Sequence, residues 1–229
     1  TPRRFLQLGL GLGGSPSAFL SLHALFQEAF VEDDSDVFSK SFLKSVDSRQ
    51  PFDDNPIYYL LHESIYGDSS RVTWAAEEAY RNVKADCANW DHKAVLENSY
   101  DDNDNPIYFT GEHVFPWMSD GDYAELSSPG MKRLARALAE TTWTKLYDCD
   151  RVKAVLSKNG DCVMAAAVYV DDMYVDFDAC RKVTARGSPL ERAKVWITNE
   201  YQHSGLRDDG ARIFGRLLEM VRGSVRIPS

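Results

Sequence analysis

Cys162-Val163-Met164-Ala165-Ala166-Ala167-Val168-Tyr169-Val170 is a continuous apolar run that ends on Asp171 and Asp172. A run of this kind, without alternation, suits a strand buried on both faces of a parallel sheet. A second short run, Val195-Trp196-Ile197-Thr198, follows a polar segment containing Gly187 and Pro189. Ile213, Leu217, Leu218 and Val221 then mark one face of a final helix that should stop near Gly223. Strand, helix, strand, helix is the order of a parallel α/β unit. Two strands make a poor parallel sheet, because both faces need cover. Residues 159–229 are therefore expected to form the edge of a larger α/β domain whose other strands lie outside this chain, so that the sequence begins mid-protein.

Upstream the character is different. Phe19, Leu22, Leu25, Phe26 and Phe30 recur at helical spacing, as do Leu134 and Leu138, while strand signals are scarce. Residues 1–158 are expected to form a mostly helical domain. The pentapeptide Asp-Asn-Pro-Ile-Tyr occurs at 54–58 and again at 104–108. In each copy Asn can cap a helix whose first residue is the proline, which has no N–H to leave unsatisfied. Two copies suggest a repeated helix start and not a solenoid.

The 229 residues are 44% hydrophobic, enough for a real core in one or two domains. No run reaches the length of a membrane span, and Thr1-Pro2-Arg3-Arg4 is not followed by the apolar stretch of a secretory signal. The formal charge of -9, from 35 acidic and 26 basic residues, repels phosphate backbones and argues against nucleic acid as a partner. Cys87, Cys149, Cys162 and Cys180 are widely spaced, without a C-x-x-C pair. They read as reduced thiols of a cytoplasmic protein.

Three motif fragments point to cofactors or metals, and each lacks a part its chemistry needs. Gly9-x-Gly11-x-x-Gly14 matches a dinucleotide fingerprint, but no strand precedes Gly9 to build the turn that delivers pyrophosphate to a helix N-terminus. Asp101, Asn103, Asn105 and Glu112 fall at the spacing of a calcium loop, yet its sixth position is Pro106 where glycine must turn the chain. His62-Glu63-Ser64-Ile65-Tyr66 begins like a zinc-protease helix, with Tyr66 in place of the second histidine. No cofactor and no metal are expected.

Chemistry is more plausible at the two strand ends. Asp171 and Asp172 follow the first strand, and Asn199-Glu200-Tyr201-Gln202-His203-Ser204-Gly205 follows the second. In parallel sheets ligands bind beyond the carboxyl ends of the strands, so an acid and a histidine placed there can meet. A carboxylate orients imidazole and stabilises it once it has taken a nucleophile's proton. The blander alternative is an acid that only caps the next helix and a histidine that is only exposed.

Several stretches carry a resemblance. Pro2-Arg3-Arg4-Phe5, Leu8-Gly9-x-Gly11-Leu12-Gly13, Leu61-His62-Glu63-x-Ile65-Tyr66, Trp74-Ala75-Ala76-Glu77, Thr110-Gly111-Glu112, Pro116-Trp117-Met118 and Leu146-Tyr147-Asp148 resemble the cap region of proline iminopeptidases. Residues 165–175 and 195–207 resemble the last two active-site segments of that α/β-hydrolase family. The resemblance implies an α/β fold in which 1–158 is a helical cap and 159–229 the C-terminal segment of a hydrolase core. It implies that His203 is the general base and Asp172 the acid that orients it, with Asp171 as the runner-up. It also implies that cap glutamates bind the substrate's free α-amine: Glu112 first, Glu77 second and Glu63 third.

The nucleophile of such an enzyme is a serine in G-x-S-x-G on a strand-to-helix turn, and no serine here has that context. Residues 153–160 and 181–192 also look longer than their counterparts. The implied parent is a serine aminopeptidase that releases N-terminal proline from peptides. This chain would supply Asp, His and the cap, would need the N-terminal part of the same enzyme, and would be inactive alone. The alternatives are a non-catalytic module that complements another chain, or a hydrolase of this fold with another substrate.

Overall fold

The computed structural model describes residues 1–32, 34–83, 88–93, 95, 106–158 and 162–225. They fall into two compact units, Thr1–Leu10 with Leu22–Leu146, and Gly11–Ser21 with Tyr147–Ser229. The architecture is mixed: many short helices and one small sheet of two parallel strands.

Among its described residues the first unit is helical, apart from two isolated bridges, Phe30–Phe38 and Arg71–Thr142. Its helices start where local chemistry provides for their free N–H groups. Proline opens Pro2–Leu6, Pro51–Asp54, Pro56–Leu61 and Pro129–Ala139, and the Ser39 and Ser128 hydroxyls accept from Phe42 N and Met131 N. Asn55 stands at the expected helix start but does not cap it through its side chain; it donates to the Pro51 carbonyl instead. The second copy of the pentapeptide starts no helix at its proline, since 106–110 is irregular, and Asn105 lies outside the described residues.

Two apolar clusters hold this unit together. One gathers Phe52, Tyr59, Val114, Phe115, Met118, Tyr123, Leu126 and Ala135; the other gathers Leu8, Leu25, Ala29 and Phe42. The helix Ser17–Gln27 buries only Leu25 of the residues that signalled it, and Phe30 lies beyond its end. Likewise Pro129–Ala139 packs through Ala135 and Ala139, while Leu134 is exposed. Small alanines sit at the close contact, so periodicity found these helices while misplacing their buried faces.

The second unit carries the sheet. Strand β1 (Ala165–Tyr169) pairs in parallel with β2 (Lys194–Thr198), Ala165 opposite Lys194 and Tyr169 opposite Thr198. The crossover is the helix Phe177–Thr184, capped by Asp176, whose carboxylate accepts from Ala179 N. Helices Gly205–Asp208 and Gly210–Arg222 follow. The helix Cys149–Ser157, within the stretch read as helical cap, groups with this unit. Burial on both faces of the first strand is not reached: every β1 residue is partly exposed, and Cys162 and Val163 precede the strand and are exposed. With two strands and the helices beside them, most strand residues are only partly covered. The last helix is anchored by Ile213 and Met220, with Val221 on the exposed side, and ends as expected at Gly223 in a left-handed conformation, φ 74°.

Among the described residues no helix is long and apolar enough to cross a membrane.

Candidate functional site

In the second unit, both strand ends deliver their polar residues to the same edge of the sheet. The chain leaves β1 through a tight turn in which Asp172 Oδ1 accepts from Tyr174 N at 2.9 Å and Val175 N at 3.0 Å. Asp172 thus spends one oxygen on its own backbone. The other, Oδ2, lies 3.2 Å from His203 Nδ1. The Asp172 side chain is 7% exposed and that of His203 is 48% exposed, so the pair has a buried acid and an accessible ring. Asp171, the alternative acid, is exposed, and His203 bonds to its neighbour.

The loop carrying His203 is tied down on either side. Glu200 pairs with Arg212 at 2.6 Å, the Tyr201 hydroxyl donates to Asp209 at 2.7 Å, and the Ser204 hydroxyl donates to Asp208 at 2.6 Å. Gly205 is needed here, because a Cβ would stand 2.6 Å from the Tyr169 hydroxyl oxygen. Tyr174 meets His203 edge-on, with ring centroids 4.7 Å apart. With Nδ1 toward the carboxylate, Nε2 is the ring nitrogen left to exchange a proton with a reacting group.

The glutamates singled out from the sequence all lie in the first unit. Glu77, on the helix Ala75–Val83, pairs with Arg81 one turn later, at 3.1 Å through both Nε and Nη2. Glu112 is half-buried in the irregular stretch before Pro116. Glu63, ranked third, is 2% exposed. Its Oε2 accepts from Ala75 N at 3.0 Å at the start of that helix, and its Oε1 is buried with no hydrogen-bond partner among the described residues. Burial pushes its carboxyl above the usual range, against the two backbone donors of Ala75 and Trp74. The backbone just before is strained: Thr73 and Trp74 hold φ of 58° and 62°, costly for a β-branched and a bulky residue.

The residue before Glu63 is buried as well. His62 is buried between the rings of Tyr58 and Tyr66, with Nε2 3.3 Å from the Tyr66 hydroxyl. Burial, and then the nearby His113, lower its pKa to about 4. The Tyr59 hydroxyl, pushed up to about 12 by burial, donates to the Phe115 carbonyl at 3.4 Å. Glu63 comes third among the cap glutamates that the resemblance implies, yet it is the most buried of the three.

Gln7–Gly13 is a 3-10 helix, Asp101, Asn103 and Asn105 lie outside the described residues, and no group of three or more His, Cys, Asp or Glu among the described residues is placed to hold a metal. The three described cysteines are free thiols.

No protein-family model matches the chain. It is 37% identical over 223 residues to the proline iminopeptidase of Aeromonas sobria, an alignment that covers 97% of this chain and 46% of that protein. It is 27% identical over 225 residues to proline iminopeptidase aneH of Aspergillus aculeatus, covering 96% of this chain and 44% of that protein. The chain spans less than half the length of either relative.

Proposed function

We propose, on the premise that this chain is related to proline iminopeptidases along nearly its whole length, that it is the C-terminal part of a serine aminopeptidase that releases N-terminal proline from peptides. The observation that carries the reading is the His203–Asp172 pair at the carboxyl ends of two parallel strands. In this reading a serine outside the chain attacks the scissile carbonyl while His203 Nε2 takes its proton. Asp172 holds the tautomer and stabilises the imidazolium, which then protonates the leaving amine. Water, activated by the same histidine, then cleaves the acyl ester, which frees proline and returns the proton to the serine oxygen. The chain by itself, without the nucleophile, is inactive.

The charged amine of the substrate needs a carboxylate in a pocket that water does not flood. Glu63 fits this role better than its sequence ranking, since its buried Oε1 lacks a partner that an ammonium would supply. Glu112 remains a second carboxylate for the same amine. Glu77 is the weaker choice, because Arg81 already neutralises it.

The test is turnover of a proline arylamide by the full-length protein. His203→Ala should lower kcat by about 10³-fold or more with little change in KM. Normal turnover in that variant would exclude the assignment. Glu112→Ala should weaken the preference for a free over an acylated amino terminus. An unchanged preference would favour a hydrolase of the same fold with another substrate.

A further inference from the structure

Gly13 and Tyr174 meet inside the second unit. A Cβ built on Gly13 would stand 2.4 Å from Tyr174 Cε2, 2.7 Å from Cδ2 and 3.0 Å from Cζ, so only glycine lets the backbone lie against that ring. The far side of the contact matters because of what else Tyr174 does. Its ring abuts the His203 imidazole edge-on at 4.7 Å, and its backbone N–H donates to Asp172 Oδ1 at 2.9 Å. One residue therefore borders both halves of the dyad. His203 is half exposed, and among the described residues its hydrogen bond is the one to Asp172, a weak restraint on rotation about χ2.

Resting on the aminopeptidase reading above, we infer that Tyr174 is a positioning residue that holds the His203 imidazole with Nδ1 on Asp172, and that Gly13 sets where the Tyr174 ring stands. The glycine-rich segment thus serves the dyad and not a nucleotide. With alanine at 13, the ring must retreat by about 1 Å to reach ordinary contact, and the imidazole loses its backstop. Misplacement on that scale lowers the catalytic rate by about 10²-fold at most, through kcat and not KM.

The experiment is a pH profile of kcat/KM for proline arylamide hydrolysis by the full-length protein, across Gly13→Ala, Tyr174→Leu, Tyr174→Phe, the double variant Gly13→Ala/Tyr174→Leu, and His203→Ala as the control. Gly13→Ala and Tyr174→Leu should each lose about tenfold to a hundredfold in kcat and shift the acid limb of the profile. Tyr174→Phe, which keeps the ring, should restore the parental profile. In the Tyr174→Leu background Gly13→Ala should cost little more, because the group it displaces is gone. Where Gly13→Ala alone does not fold, Tyr174→Leu against Tyr174→Phe decides, as neither adds volume. If His203→Ala is dead while Tyr174→Leu matches the parent in rate and acid limb, or Tyr174→Phe fares no better than Tyr174→Leu, the inference is overturned and the aminopeptidase reading stands. If His203→Ala keeps its turnover, that reading falls and takes the inference with it.

Discussion

His62 and Glu63 are adjacent, both buried, and shifted so that each resists its charge. For His62 the folded pKa of about 4 lies below the 6.5 of a free imidazole, so the unfolded chain binds the proton more readily. Its stabilising effect is complete above the unfolded pKa and is lost as pH falls through the window down to about 4. Between pH 7 and about pH 5 this single group should remove about 2 kcal/mol of stability. Urea midpoints at the two pH values, compared with those of His62→Phe, check it: the variant should show a flatter acid slope. Glu63 has the opposite sign, because a raised carboxyl favours the protonated folded state and loses stability as pH rises. Glu63→Gln should therefore raise the neutral-pH urea midpoint while raising KM for a free-amine substrate. A variant that lost stability without any change in KM would mark Glu63 as a structural cap alone.

At the scale of elements, the caps decide where helices begin and end. Ser128→Ala removes the acceptor for Met131 N and should cost about 1 kcal/mol, visible in thermal unfolding. Gly223→Ala forces a Cβ into φ 74° at the end of the last helix and should cost a similar amount, about 1 kcal/mol. The Gly223 end was legible, because a glycine after an apolar face is a local chemical signal. So was the order strand, helix, strand, helix, which rests on run length and turn residues. The buried faces were less so. Ala135, Ala139 and Met220 carry contacts that the sequence pattern assigned to Leu134, Leu138 and Val221, because contact depends on how closely the next element approaches. The second Asp-Asn-Pro-Ile-Tyr shows the same limit, since identical residues 56–58 and 106–108 are helical in one place and irregular in the other.

Across the second unit, one face of the sheet stays open. Val168, Val195 and Ile197 line a shallow cavity bordered by Cys180 and Thr184, and Ile197 is 49% exposed. The chain by itself is therefore expected to bind a hydrophobic dye, and Ile197→Lys to lower that signal without unfolding the unit. Undiminished dye binding in the variant would place the apolar surface elsewhere. Coexpression with the remaining strands of the proposed enzyme should remove the signal from the parent chain.

The sequence by itself determined the α/β character of residues 159–229, the helical character of what precedes them, and the types of residue available at the strand ends. Each depends on neighbours within a few residues: run length, turn glycines, caps. Only the tertiary structure decided that His203 bonds Asp172 and not Asp171, that Glu63 and not Glu77 is the buried acid, and that Gly13 stands against the ring touching His203. Those outcomes depend on distances between segments far apart in the chain, where burial sets the charge a carboxyl can hold and a missing Cβ sets how near two backbones can come.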